Sequence, residues 1–159
     1  MNYDVIVKEL PAMDVLSMRC VIPDFHAIYK IYPEMDKYLE EKAIKRTTPS
    51  YRCIIYHDGE YKEKDIDVEF CQAVVGSGQD TDKFKFKKLK AVAAAACAIH
   101  KGPYNTIGMA HSAIGQWIKD NGYEIAGNLR ESYIDSLWNK KKLKDWITEI
   151  QIPIRPKHK

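Results

Sequence analysis

Hydrophobic and polar positions change their period in a fixed order along the first half of the chain. Two stretches with the alternation typical of β-strands come first, separated by a turn at Pro11. Apolar residues at three- and four-residue spacing then predict an amphipathic helix, in which Pro33 should end or kink the first turn. Two more strands follow, joined by a polar loop around Asp58-Gly59-Glu60. The predicted elements are strands Tyr3 to Leu10 and Met13 to Val21, a helix carrying Ile28, Ile31, Tyr32, Met35, Tyr38 and Leu39, and strands Tyr51 to His57 and Ile66 to Val75.

The second half of the chain repeats this order. A β-hairpin is expected first, then a helix that opens after Gly102-Pro103 and ends at Asn121-Gly122. The run Ala93 to Ala96 favours a helix by propensity alone, but it is short and ends at a turn signal, so a strand is predicted there. The predicted elements are hairpin strands Lys83 to Leu89 and Ala91 to Ile99, a helix turning Ile107, Ala110, Ile114, Trp117 and Ile118 inward, and strands Arg130 to Asp135 and Trp146 to Ile154.

An internal repeat supports the division into two similar halves. An offset of 79 residues lays the opening segment Val7 to Ala12 over Phe86 to Ala91. One further inserted residue brings residues 68–70 over residues 148–150. The positions superposed at the same offset of 79 include Ile28 on Ile107, Met35 on Ile114, Leu39 on Ile118, Ile44 on Tyr123 and Tyr51 on Arg130.

These patterns predict an α+β fold. We expect a single domain over residues 1–159, built from two pseudo-symmetric β-β-α-β-β repeats at about 3–77 and 82–155. Neither repeat alone buries enough apolar area, so the two should share one core. They are expected to form a concave antiparallel sheet with both main helices on one face, and a ligand pocket where the repeats meet.

Composition and charge exclude several classes of protein. The net charge is only +3, from 25 basic and 22 acidic residues, and no helix-turn-helix or finger pattern occurs, so direct nucleic-acid binding is not expected. No apolar run approaches the roughly 20 residues that span a bilayer, which predicts a cytoplasmic protein. The four cysteines stand singly and no histidine lies at metal-ligand spacing. Buried free thiols, with no metal or cofactor, are therefore expected.

Several motifs carry a resemblance to a known family. They are Lys8-Glu9-Leu10-Pro11-Ala12, Arg19-Cys20-Val21-Ile22-Pro23, His100-Lys101-Gly102-Pro103-Tyr104, Trp117-Ile118, the segment Asn121 to Tyr133, and the closing segment Thr148 to Ile154. Together they resemble the GyrI-like family, the effector-binding domain of multidrug-responsive MerR-type and AraC/Rob-type transcription regulators. The resemblance covers nearly all of residues 3–155, and it indicates the fold more narrowly than the ligand.

The resemblance implies an aromatic-lined pocket between the repeats, with one buried carboxylate that pairs with lipophilic cations. That carboxylate maps to Glu131, and the aromatic positions map to Tyr32, Tyr51, Tyr133 and Trp146. Side chains two apart on a strand face the same way, so Glu131 and Tyr133 should look into one space. A buried carboxylate favours a cationic partner, and aromatic faces add cation–π attraction.

Each of these features also has a purely structural interpretation. Glu131 can pair with Arg130 or a lysine on a solvated strand, as most glutamates do. Trp117 lies on the inward stripe of its helix, where core packing is more common than ligand contact. The small side chains Ala93 to Ala96 either leave volume for a ligand or let the helix pack closely. The five histidines are assigned to loops or helix surfaces and are not expected to be ligands.

Three functions remain open from the sequence. The first is a domain that binds an organic cation, either as the effector sensor of a transcription regulator whose DNA-binding domain lies elsewhere or as a stand-alone protein. No helix-turn-helix precedes residue 1, so this segment is not expected to regulate transcription by itself. The second is a stand-alone hydrolase of reactive xenobiotics, in which Glu131 and Tyr133 position or deprotonate a water. No nucleophile elbow or triad supports it. The third is a module that contacts a protein partner.

Overall fold

The computed structural model describes residues 3–59, 62–136, 139–140 and 142–157, so the expected loop residue Glu60 and the terminal His158 lie outside the described residues. Strands and helices follow each other as an α+β fold, which confirms the predicted class. The elements are β1 (Ile6–Leu10), β2 (Met13–Ile22), α1 (Ile28–Glu41), β3 (Arg52–Tyr56), β4 (Ile66–Ala73), β5 (Lys85–Leu89), β6 (Val92–Lys101), α2 (Gly108–Asp120), β7 (Tyr123–Ile125), β8 (Arg130–Asp135) and β9 (Ile147–Pro156).

The chain divides into two compact units, each with an antiparallel sheet and one main helix. Unit A consists of Met1–Pro11 and Ala91–Lys159, and unit B consists of Ala12–Lys90. In unit A, β9 lies between β6 and β8, β1 pairs with the other edge of β6, and β7 pairs with the end of β9. In unit B, β4 lies between β3 and β2, and β5 pairs with the other edge of β2.

The predicted hairpin of the second half is wrong, and the strands on either side of Pro11 do not form a hairpin with each other. Within the described residues β1 pairs with β6 and β5 pairs with β2, so the first strands of the two repeats are exchanged. A two-residue hairpin needs a turn with positive φ, usually supplied by Gly or Asn. The connections here are Pro11-Ala12 and Lys90-Ala91, and none of these residues has a positive φ. Both connections therefore lack the residues of a two-residue hairpin, and at each of them the chain continues from one unit to the other.

Both helices bury the predicted apolar stripes, and neither is long and apolar enough to cross a lipid bilayer. Ala96 and Ala98 of β6 pack directly against α2, which supports the close-packing interpretation of the alanine run. Gly122 follows α2 with a φ of 76°, as its predicted role at the helix end requires. Pro33 lies inside α1 and does not end it. The buried stripes are Ile28, Tyr32, Met35 and Leu39 in α1, and Ala110, Ile114 and Ile118 in α2.

Equivalent ion pairs occur in the two units. In unit A, Lys8 Nζ lies 2.8 Å from Glu149 Oε1, and in unit B, Lys87 pairs with Glu69. Both glutamates are buried, on the sheet face opposite the helix. Burial alone would raise the pKa of the Glu69 carboxyl, but hydrogen bonds from Lys87 and His57 outweigh burial, and the pKa is lowered. These are the positions that the repeat alignment superposes, Lys8 on Lys87 and Glu69 on Glu149.

The repeat alignment needs one correction at the strand that follows the helix. Ser132 lies opposite Glu149 in the unit A sheet, whereas Ile55 lies opposite Glu69 in unit B. Ile54 is therefore the counterpart of Glu131, and Tyr56 is the counterpart of Tyr133. The superposition of Tyr51 on Arg130 is wrong by two residues, because the chain from Leu39 to Ile54 is two residues longer than the chain from Ile118 to Glu131.

The cysteines are free thiols, as predicted. Cys53, Cys71 and Cys97 are buried, and Cys20 is half-buried. Burial raises the pKa of the Cys97 thiol to about 12. Cys53, Cys71 and Cys97 therefore act as small core residues, whereas Cys20 is less buried than predicted.

Replacing Lys87 by Met should lower stability at neutral pH, because it leaves the buried Glu69 carboxylate without its ammonium partner. We expect the free energy of unfolding to fall by about 1–2 kcal/mol, since Lys87 itself is half-exposed. The pKa of Glu69 is lowered by folding, so its stabilising contribution is present above the unfolded-state pKa and is lost as pH falls through the folded-state pKa. The variant should lose part of this acid dependence.

Urea denaturation from about pH 3 to about pH 7 measures both effects. Lys85→Met is the matched control, because Lys85 lies on the same strand and forms no ion pair with any residue that the structure describes. Equal losses of stability in the two variants would contradict the role of the Lys87–Glu69 pair.

Candidate functional site

Glu131 lies on β8, on the face of the unit A sheet that α2 covers. It is opposite Ile150 of β9, which packs in the core beneath α2. Strand alternation places its neighbour Arg130 on the other face. Glu131 is only 6% exposed. The structure therefore contradicts the interpretation of Glu131 as a solvated partner of Arg130.

The structure describes two side-chain contacts to the Glu131 carboxylate. Tyr133 Oη donates a hydrogen bond of 2.8 Å to Glu131 Oε1, as the shared strand face predicts. His111 Nε2, from α2, lies 2.7 Å from Glu131 Oε2. The His111 side chain is 22% exposed, against 8% for the Glu131 side chain. The imidazole therefore lies on the more solvent-accessible side of a carboxylate that is itself buried.

Three aromatic rings form a continuous group next to this carboxylate. Tyr104 packs edge-on to Tyr133 with ring centroids 5.3 Å apart, and Tyr104 packs against Trp146 with centroids 4.9 Å apart. We call these three residues the aromatic cluster. Trp146 Nε1 donates a hydrogen bond of 3.2 Å to the Lys140 carbonyl oxygen, and the Tyr104 hydroxyl contacts Ser136 Oγ. These polar contacts fix the ring orientations.

The combination of a buried carboxylate and aromatic faces has a defined chemistry. A carboxylate removed from water is stabilised by a positive charge or by hydrogen-bond donors. Aromatic faces attract cations through their quadrupoles and also bury apolar surface. Glu131 and the aromatic cluster together therefore suit an organic cation better than an anion or a neutral sugar.

The structure places Glu131, Tyr133 and Trp146 together in unit A, whereas the predicted residues Tyr32 and Tyr51 belong to unit B. Tyr32 packs edge-on to Phe70, and its hydroxyl donates a hydrogen bond of 2.7 Å to the Cys53 carbonyl oxygen. Tyr51 packs against the apolar group on the other face of the same sheet. Tyr32 and Tyr51 therefore lie on opposite faces of the unit B sheet, and a ligand role for them stays a prediction.

Sequence reasoning missed two residues of the site, Tyr104 and His111. Tyr104 belongs to the motif His100 to Tyr104, which marked the resemblance but was not assigned a contact. His111 was assigned to the helix surface. A signal for it existed, because His111 lies one turn after Ile107 and one turn before Ile114, at the edge of the inward stripe.

His100 was also misplaced, because it lies in β6 and is fully buried rather than in a loop. Its Nδ1 is 3.1 Å from Tyr3 Oη, and its Nε2 is 3.1 Å from both the Pro103 carbonyl oxygen and Thr106 Oγ1. Both ring nitrogens are thus engaged within unit A. The histidine ties β6 to the turn that carries Tyr104.

Comparison with known proteins identifies relatives of the whole chain. Residues 3–155 match the GyrI-like small molecule binding domain. The crystal structure of the EcmrR C-terminal domain has a TM-score of 0.93 at 40% identity, covering 98% of this chain and 99% of that chain. EcmrR in the cryo-EM structure of an EcmrR–DNA complex has a TM-score of 0.92 at 40% identity, covering 98% of this chain and 58% of that chain.

A hydrolase from Listeria innocua has a TM-score of 0.66 at 11% identity, covering 95% of this chain and 91% of that chain, which is a likeness of fold alone. No curated protein matches the sequence. The family match over nearly the full length and the 40% identity to EcmrR confirm the resemblance that the motifs carried. The chain belongs to the GyrI-like family of small-molecule-binding domains and is similar to the effector-binding domain of the MerR-type transcription regulator EcmrR.

Proposed function

We propose that this protein is an effector-binding domain that recognises lipophilic organic cations through Glu131. The observation that carries the proposal is the burial of the Glu131 carboxylate next to the aromatic cluster of Tyr104, Tyr133 and Trp146. A cation at this position offsets the cost of burying the carboxylate. Each favourably placed ring adds on the order of 0.5–2 kcal/mol of cation–π attraction.

His111 gives the carboxylate a partner in the absence of ligand. A cation that approaches Glu131 competes with the imidazole for Oε2, because the His111 contact occupies that oxygen. His111 is partly exposed, so its ring can exchange the hydrogen bond to Glu131 for hydrogen bonds to water. The carboxylate is therefore paired with His111 before binding and with the cation afterwards.

Similarity to EcmrR supports a role in regulation. EcmrR occurs in a complex with DNA, and this chain spans 58% of the EcmrR chain in that complex. In the proposed role, this segment senses the ligand in the cytoplasm and a DNA-binding region outside it contacts the promoter. The small net charge of +3 is consistent with a segment that does not itself contact DNA.

The hydrolase alternative has weaker support. The hydrogen bond between Tyr133 and Glu131 is the geometry that such a function would use, but it serves cation binding equally well. The likeness to the Listeria innocua hydrolase, at 11% identity, extends to the fold only. Consumption of a bound test compound, followed by chromatography, distinguishes a hydrolase from a sensor.

Replacing Glu131 by Gln should weaken cation binding while leaving the fold intact, because Gln matches the shape of Glu but lacks the charge. We expect affinity for tetraphenylphosphonium and rhodamine 6G to fall by about 1–3 kcal/mol, the scale of a charge-assisted interaction. A thermal-shift titration measures this, since a ligand that binds the native state raises the unfolding midpoint by mass action.

Glu149→Gln is the matched control for that experiment. Glu149 lies on β9 and is also a buried glutamate of unit A. It lies on the sheet face opposite Glu131 and pairs with Lys8. This variant should lose stability and keep its ligand-induced shift. A cation-induced shift that survives in Glu131→Gln, or that is lost equally in both variants, would sink the proposed role of Glu131.

Tyr133→Phe should destabilise the ligand-free protein, because it removes one donor from the buried carboxylate. We expect the free energy of unfolding to fall by about 1–2 kcal/mol in urea denaturation. Tyr123→Phe serves as the comparison, because the Tyr123 ring stacks on Trp117 and its hydroxyl bonds no residue in the described ranges. That control should change stability by less than about 0.5 kcal/mol. Equal effects would show that the Tyr133 hydroxyl does not support Glu131.

A further inference from the structure

Thr148 lies in the middle of a row of three side chains on the helix-covered face of unit A. Its partners across the neighbouring strands are His100 on β6 and Tyr133 on β8. Residues directly opposite each other in antiparallel strands point to the same face. The Thr148 side chain therefore lies on the same face as Tyr133 and Glu131.

The hydroxyl of Thr148 is fully buried, with 0% exposure of the residue, and it forms no hydrogen bond to any residue that the structure describes. Buried polar atoms in native proteins almost always have a partner, so such an atom needs an explanation. Strand position alone does not explain it, because β-branched apolar residues fit the same site equally well.

The polar atoms of His100 and Tyr133, the residues opposite Thr148, form hydrogen bonds with groups other than the Thr148 hydroxyl. Both ring nitrogens of His100 are engaged with Tyr3, Pro103 and Thr106. The Tyr133 hydroxyl donates to Glu131. The Thr148 hydroxyl is thus an available acceptor and donor on the face that carries the carboxylate and the aromatic cluster.

We propose that the Thr148 hydroxyl accepts a hydrogen bond from an N–H group of the ligand, so that the site prefers protonated amines over quaternary ions of similar size. This inference rests on the proposed function of Glu131. Thr148 is the diagonal neighbour of Glu131, since Ile150, two residues further along β9, is the residue opposite Glu131. Diagonal positions in a sheet are about 7–8 Å apart, which lets one protonated amine lie between the two side chains.

The preference follows from the chemistry of the two kinds of cation. A protonated amine carries a positive charge and also N–H donors, so it can pair with Glu131 and donate to Thr148. A quaternary ammonium or phosphonium ion carries the charge without a donor. It leaves the Thr148 hydroxyl unpartnered, as in the ligand-free protein, and gains nothing there, so the protonated amine binds more tightly by the hydrogen bond that it adds.

The test uses two cations that share a ring system and a charge, 1-naphthylmethylammonium and its N,N,N-trimethyl analogue. Isothermal titration calorimetry of the wild-type protein should show tighter binding of the primary ammonium ion. Thr148→Val removes the hydroxyl at nearly constant shape. It should weaken binding of the primary ammonium ion about tenfold and leave the trimethyl analogue unchanged within about twofold. Thr148→Ser, which keeps the hydroxyl, should preserve the preference.

The ligand-free protein tests the premise separately. Replacing an unpartnered buried hydroxyl by a methyl group removes an unsatisfied polar atom, so Thr148→Val should raise the unfolding midpoint. A lower midpoint would show that the hydroxyl is already satisfied and would overturn the inference.

The outcomes distinguish this inference from the proposed function. If both naphthyl cations bind, Glu131→Gln weakens both, and the ratio of their affinities is the same in Thr148→Val and wild type, only the role of Thr148 is overturned. If neither naphthyl cation nor tetraphenylphosphonium binds the wild-type protein, both proposals are overturned.

Discussion

The fold depends on the ion pairs and hydrogen bonds that offset the cost of burying carboxylates. Removing a carboxylate from water is expensive unless a positive charge or hydrogen-bond donors accompany it. Three glutamates are buried in the described part of the chain, Glu69, Glu131 and Glu149. Two of them meet a lysine that an exchanged strand brings into the unit, Lys87 from β5 and Lys8 from β1. Strand exchange and carboxylate burial are thus linked, because each exchanged strand completes the sheet whose glutamate its lysine neutralises.

The third glutamate shows where the two repeats differ. The unit B counterpart of Glu131 is Ile54, and the counterpart of His111 at the repeat offset of 79 residues is Tyr32. Tyr32 directs its hydroxyl to a backbone carbonyl oxygen of its own sheet. The helix-covered face of unit B is therefore built as a core, whereas the same face of unit A holds a carboxylate and an imidazole. Among the described residues, the shared scaffold therefore carries a buried carboxylate on this face in unit A and not in unit B.

Period and spacing predicted much of the fold, because they reflect which face of each element is buried. They correctly predicted both helices and a strand, rather than a helix, at the alanine run. They also predicted that Glu131 and Tyr133 lie on one face. Strand pairing was not predictable from period, since β1 alternates in the same way whether it pairs with β2 or with β6. The turn chemistry did hold that information: Pro11-Ala12 and Lys90-Ala91 lack the residues of a tight hairpin. His111 was missed because a lone histidine beside an apolar stripe is ambiguous until the facing strand is known.

In the proposed function, the site restricts the charge of the ligand more closely than its shape. Aromatic faces attract flat cations of many outlines, so the cluster of Tyr104, Tyr133 and Trp146 restricts ligand shape only loosely. The Glu131 carboxylate is fixed by its strand and by Tyr133. In the proposed function, it therefore restricts closely the sign and the position of the ligand charge. Glu131 and Trp146 are buried in the free protein, whereas Tyr104 and His111 are half-buried. In the proposed function, the ligand therefore reaches the carboxylate from the side of Tyr104 and His111. Displacing His111 costs part of the binding free energy, so a weakly paired cation gains little. The proposed function thus favours ligands that combine an accessible positive charge with a large aromatic surface.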